Sequence, residues 1–200
     1  MLVILCVALM LSMTTWFSAT AVVPELTVRW ALSGGQASLL TIAVQIGFVA
    51  GAIASGLVNL PDIVPMPVLM TGAALLAALA NAALLAAPGV DTAILARLIT
   101  GASLAGIYPP ALKLASTWFR TGRGIALGAV IAALTLGSAS PHLVRALGGA
   151  NWQRVVVTTS GATLFGAILL ALHVREGPYP FSRAAFTNLP TLYMTVMRHT

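Results

Sequence analysis

Charge is what this chain has least of. Asp, Glu, Lys and Arg make up 7% of its residues, against about a quarter of an ordinary soluble domain. Acidic side chains are the scarcest: Glu25, Asp62, Asp91 and Glu176 are the whole set, far apart in sequence. That scatter excludes the clustered acids of a metal-dependent lipid enzyme. One cysteine, Cys6, excludes an internal disulfide and any all-cysteine metal site. No His/Cys/Asp grouping has metal-ligand spacing, and no Gly-rich phosphate loop ends in Lys-Ser or Lys-Thr. Thr158-Thr159-Ser160-Gly161 lacks the first glycine of an intramembrane Gly-x-Ser-Gly protease. The expectation is therefore not an enzyme, with no metal and no cofactor. Nor does any Lys or Arg precede Arg29. The first apolar segment thus lacks the basic stretch of a removable signal peptide, and it runs too far, through Val23. It reads as a retained membrane helix, with a natural start upstream left open.

What fills the chain instead is hydrocarbon: 59% of residues are hydrophobic, more than a soluble fold of this length can bury. The sequence divides into six nearly uncharged stretches of about 20 residues, each long enough to cross a bilayer core of about 30 Å. The pattern predicts an all-α, polytopic membrane bundle over residues 1–176, with helices near 2–24, 37–60, 67–87, 91–117, 123–147 and 152–173. Residues 177–200 read as a flexible cytoplasmic tail. Ser33-Gly34-Gly35, Pro61 with Pro65 and Pro67, Pro88-Gly89, Thr121-Gly122 and Gly148-Gly149 punctuate the breaks. Asp91 and Asn151 are candidate N-caps for helices four and six.

The net charge of +6 forms no basic stripe and has no interleaved stacking aromatics, so no nucleic-acid partner is expected. It sets topology instead. Lys113, Arg120, Arg123, Arg175, Arg183 and Arg198 fall on one side, and Arg29, Arg145 and Arg154 on the other. The positive-inside rule then places both termini in the cytoplasm, although the loop at 61–66 on that side has no basic residue. Trp30, Trp118 and Trp152 lie at helix ends, as an interfacial belt does.

Four strings stand in order at the helix boundaries. The first is Gly56, Asn59, Leu60, Pro61 and Asp62, followed by Ile63-Val64-Pro65-Met66-Pro67. The others are Arg97-Leu98-Ile99-Thr100-Gly101 through Tyr108-Pro109-Pro110-Ala111, then Trp118-Phe119-Arg120-Thr121-Gly122-Arg123-Gly124 to Gly128, and Asn151-Trp152-Gln153-Arg154. Together they resemble the N-terminal half of a major facilitator superfamily transporter, over roughly residues 5–180. The first is a degenerate form of the family's loop between helices two and three; it keeps the acid at Asp62 and lacks the basic residues of the charged latch. The second resembles the fourth-helix Arg-x-x-x-Gly signature. The antiporter signature of helix five is absent, with Gly137-Ser138-Ala139-Ser140-Pro141 in its place, which tilts toward symport or uniport.

The resemblance implies secondary transport of a small solute, an anion among the candidates, across a bacterial inner membrane by alternating access. A full member has two six-helix halves. The second would come from another copy or a separate chain, unless the chain is a truncated, non-transporting fragment or a helix-packing scaffold.

Arg97, inside the apolar run Ala93–Ile107 and about 9 Å from the start of its helix, is the costliest residue in the apolar part of the chain. Three readings stand for it: a cavity-facing cation that grips or gates a solute, a side chain snorkelling to the outer interface, or one held by carbonyls of a neighbouring helix. Thr14, Trp16 and Ser18 on helix one are solute-binding candidates, set against plain interhelix hydrogen bonding. Gln45 and Asn81 are mid-membrane amides with the same two readings, and Tyr108, a further solute-binding candidate, precedes Pro109-Pro110, which mark a kink or gate. Asp62 and His142 are candidates for coupling. Lys113 reads as a snorkelling anchor. Gly47, Gly51, Gly101, Gly106, Gly124 and Gly128 read as close-packing positions.

Overall fold

In the computed structural model, residues 1–148 and 151–179 are described. Among them every regular element is helical. The order is α1 (Leu2–Ser12), α2 (Val23–Trp30), α3 (Gly34–Leu57), α4 (Leu60–Ile63), α5 (Met66–Ala82), α6 (Val90–Leu104), α7 (Tyr108–Trp118), α8 (Arg123–Gly148) and α9 (Trp152–His173). Five segments are long and apolar enough to cross a bilayer, and α1 with α2 forms a sixth, bent by 43° at a short break. The protein is thus a multi-pass membrane bundle whose spans one to six are α1/α2, α3, α5, α6/α7, α8 and α9. Arg183 and Arg198, with the rest of the tail from residue 180, lie outside the described residues.

Two spans differ from the continuous helices expected. Span one stops being α-helical after Ser12, passes through short 3-10 turns, and resumes at Val23 to run on to Trp30. Span four stops at Leu104 and restarts at Tyr108. Pro109 and Pro110 therefore sit in the first turn of α7, where a missing N–H costs least. Pro141 does lie inside α8 and removes the donor for the Gly137 carbonyl. The Ser140 hydroxyl donates to that oxygen at 2.7 Å instead, the kind of local repair that makes proline tolerable in lipid.

Caps follow the sequence in part. Asn151 Oδ1 accepts from Arg154 N at 3.1 Å. Ser33 Oγ accepts from Gln36 N at 3.3 Å while Gln36 Oε1 accepts from Ser33 N at 2.9 Å, a reciprocal capping box. Asp91 is not a cap; Gly89 occupies that position and Asp91 lies in the first turn, where its charge complements the helix dipole.

The packing order exposes an internal repeat. Span one packs on five and six, span four packs on two and three, and three packs on six. Exchanging one with four, two with five and three with six maps this scheme onto itself, as expected of inverted three-helix repeats. The one–five and two–four seams are closed by glycines. A β-carbon on Gly47 or Gly101 would collide with the carbonyl of Leu98 or Val44, and one on Gly51 would lie 2.6 Å from Ala102 O. Gly137 meets Met10 O in the same way, and a β-carbon on Gly106 would lie 2.8 Å from Ala73 Cβ. Gly124 and Gly128, expected in the same role, have nothing within 4 Å of where a side chain would start.

Two apolar cores result, one around Leu5, Met13, Met70, Leu104 and Leu114, the other around Ala19, Leu26, Leu84, Ala93 and Val156. Between them, spans one, three, four and six bury polar residues, among them Thr14, Ser18, Asn81, Arg97, Thr159 and Thr163. Replacing Gly101 with leucine should abolish the folded monodisperse species in size-exclusion chromatography, because backbone contact leaves no room for repacking. Gly124→Leu should elute as wild type.

Candidate polar site at the interrupted helices

The layer between the two cores is built on the break in span one. A helix that stops in hydrocarbon leaves carbonyls without amide donors, and lipid supplies none. Arg97 from α6 fills that need. Its Nη1 donates to Thr15 O at 2.9 Å, with Ser18 Oγ and Asn81 Oδ1 each at 3.3 Å, and its Nη2 donates to Trp16 O. The side chain is fully buried, and its Nε has no partner among the described residues. No carboxylate is among these partners. The cation is balanced by carbonyls at the end of a helical segment, where the dipole is negative.

The layer extends through Asn81. Its Oδ1 accepts from Ser18, and its Nδ2 donates to Thr159 Oγ1 at 3.1 Å and Ser160 Oγ at 2.9 Å. Thr14 Oγ1 donates to Leu11 O at 2.8 Å or Thr159 O at 3.0 Å and lies 3.2 Å from Thr163 Oγ1. Spans one, three, four and six are thereby joined. Arg97, Thr14 and Ser18 are all buried between spans.

Trp16 lies elsewhere. Half-buried at the break, its ring is 4.9 Å from that of Phe48 on span two. Phe17 is 6.2 Å from the exposed His142 on span five. Gln45 is exposed one turn from Phe48, and Tyr108 is half-buried at the break in span four. Trp16, Gln45, Tyr108 and His142 thus keep exposed surface, whereas the polar layer is buried. Phe48 was not singled out in the sequence, although it is the one aromatic in Gly34–Leu57, beside Gly47 in the two–four seam.

Ion pairs close the two ends. Asp62, just beyond span two, pairs with Lys113 on α7. Lys113 is therefore not a lone snorkelling anchor; it supplies, from span four, the cation that the loop lacks. At the opposite end Glu25 Oε1 accepts from Arg145 Nε at 3.0 Å and Nη2 at 2.8 Å. The pairs occupy corresponding places in the two repeats, with acid and base exchanged. Near Asp62, a hollow of about 230 Å³ opens between Ser55, Gly56, Asn59, Pro109 and Lys113.

Gly177–Tyr179, expected as the start of a flexible tail, are docked. Gly177 N donates to Thr117 Oγ1 at 2.8 Å and Tyr179 N to Thr117 O at 3.0 Å. Glu176 Oε1 accepts from Met66 N at 3.1 Å, and Arg120 lies 4.5 Å over the Tyr179 ring.

No protein-family model matches the chain, and no curated protein matches it. Its structure is similar to that of a bacterial homologue of the human lysosomal transporter Spinster, solved inward-facing and unoccupied. The TM-score is 0.73 at 18% identity, over 94% of this chain and 45% of that one. The chain therefore shares the fold of the matched part of that transporter, and it spans less than half the length of that protein.

Arg97→Ala should lower the unfolding free energy in detergent by on the order of 2–3 kcal/mol, since it strands the carbonyl of Trp16 and leaves that of Thr15 only the Ser18 hydroxyl, 3.1 Å away. An unchanged denaturation midpoint would show that those carbonyls have other donors.

Proposed function

We propose that the chain acts as one half of a secondary transporter of the major facilitator type. It would move a small solute across the bacterial inner membrane by alternating access, with a second six-helix half supplied by another copy or a separate chain. The observation that carries this reading is the pair of interrupted spans at corresponding positions of two inverted repeats, the arrangement that marks substrate sites in such transporters. The similarity of the fold to a transporter supports it.

In this reading Trp16, Phe48, Tyr108, Gln45 and His142 face the solute, and Arg97 is a positioning residue that fixes the break carrying Trp16. The fixed charge of Arg97 also makes the centre of the bundle positive, which favours an anionic solute. Asp62 with Lys113 and Glu25 with Arg145 act as clips at opposite faces, so that releasing one while keeping the other opens a single side. The distribution of Lys and Arg supports cytoplasmic termini, which assigns Asp62–Lys113 to the inner face and Glu25–Arg145 to the outer.

Vesicles reconstituted with the chain should take up a labelled organic anion. Trp16→Ala should cut that flux at least tenfold without shifting the thermal midpoint. In a Cys6→Ser background, single cysteines at Gln45 and His142 should react with a membrane-impermeant maleimide, and one at the lipid-facing Leu79 should not. A monomer inert toward every anion, with Gln45 and His142 unreactive, would establish a non-transporting fragment.

A further inference from the structure

The polar layer and the solute face leave the back of the bundle, where spans three and six meet, without a role. There the surface is grooved. A hollow of about 480 Å³ lies between Leu75, Leu79 and Leu85 of span three and Val157, Gly161 and Leu164 of span six. Small residues form its floor: Ala78 and Ala82 face Gly161, which has open space where a side chain would start. Behind it the seam is sealed by the Asn81–Ser160 hydrogen bond.

Toward the end of the bundle that holds Asn151, a second hollow adjoins the groove along span six. It has a volume of about 550 Å³ and lies between Val144 of span five and Asn151, Gln153, Arg154, Val157 and Thr158, and Val157 borders both. Carbon walls thus give way to polar ones along a single helix. The cations at this end differ in one respect. Arg145 is paired with Glu25 and Arg29 lies 5.4 Å over the Trp152 ring, whereas the exposed guanidinium of Arg154 has no partner among the described residues. From Arg154 to Gly161 the helix rises about 10 Å. That reach carries a ligand through a headgroup layer of roughly 5–7 Å and into the hydrocarbon.

We propose that this seam binds one molecule of anionic phospholipid, with its phosphate at Arg154 and an acyl chain in the groove between spans three and six. The groove opens on the lipid face, where acyl chains are the solvent. The unpaired cation at the polar end selects a negative headgroup over a zwitterionic one.

The test is native mass spectrometry of the full chain in mild detergent, with phosphatidylglycerol or phosphatidylcholine added. Wild type should retain one phosphatidylglycerol, about fivefold more strongly than phosphatidylcholine, the preference one surface cation confers. Arg154→Gln should erase that preference. Gly161→Leu, whose side chain has room to enter the groove, should cut retention of both lipids while the thermal midpoint stays put. Equal retention of the two lipids by wild type, or phosphatidylglycerol binding unaffected by either variant, would overturn the proposal. So would a dimer that Gly161→Leu dissolves, since a second copy would then be the occupant.

Discussion

A helix that stops in the middle of a bilayer must find hydrogen-bond donors inside the protein, and here one arginine supplies them. The guanidinium of Arg97 meets the carbonyls of Thr15 and Trp16 where span one loses its helix. The exchange works in both directions. The carbonyls gain donors that lipid cannot provide, and the buried cation gains the negative end of a helical segment in place of a carboxylate. With the break fixed, Ser18 is brought to Asn81, and Asn81 reaches Thr159 and Ser160 on span six. One donor group therefore fixes how four spans meet. Trp16, carried on the same turn, is left at the surface beside Phe48.

The rest of the bundle repeats a motif with its ends exchanged. Each broken span lies against the neighbour two-four or five-one through glycines whose missing side chains let backbones touch. Each of these seams is clipped by an ion pair, at opposite ends of the molecule. Such pairs are partly exposed, and each contributes modestly to stability. Their value lies in being breakable singly. The glycine seams are the opposite kind of contact, rigid because backbone cannot yield.

Much of this was legible from residue types. The six spans follow from hydrocarbon runs and punctuation, because the thickness of the bilayer fixes how long such a run must be. Gly47 and Gly51 stood out by their spacing, Gly101 by the Arg-x-x-x-Gly string that it closes, and Asn151 as a cap by its place before Trp152. Gly124 and Gly128 carry the same four-residue spacing yet meet no neighbour, since spacing shows that two residues share a face and is silent on what the face touches. Lys113 showed the same limit: 51 residues separate it from Asp62, and no local pattern joins them.

The sequence by itself determined the membrane, the number of spans and the cost of Arg97, all of which are one-dimensional properties of hydrophobicity and order. The tertiary structure decided what Arg97 touches. Residues 13–22 contain no proline or glycine and read as continuous helix, because a break there is unfavourable until a donor from another span is present. Only when α6 packs beside span one do the carbonyls of Thr15 and Trp16 acquire that donor. The interruption, and with it the position of every group around Trp16, belongs to the assembled bundle.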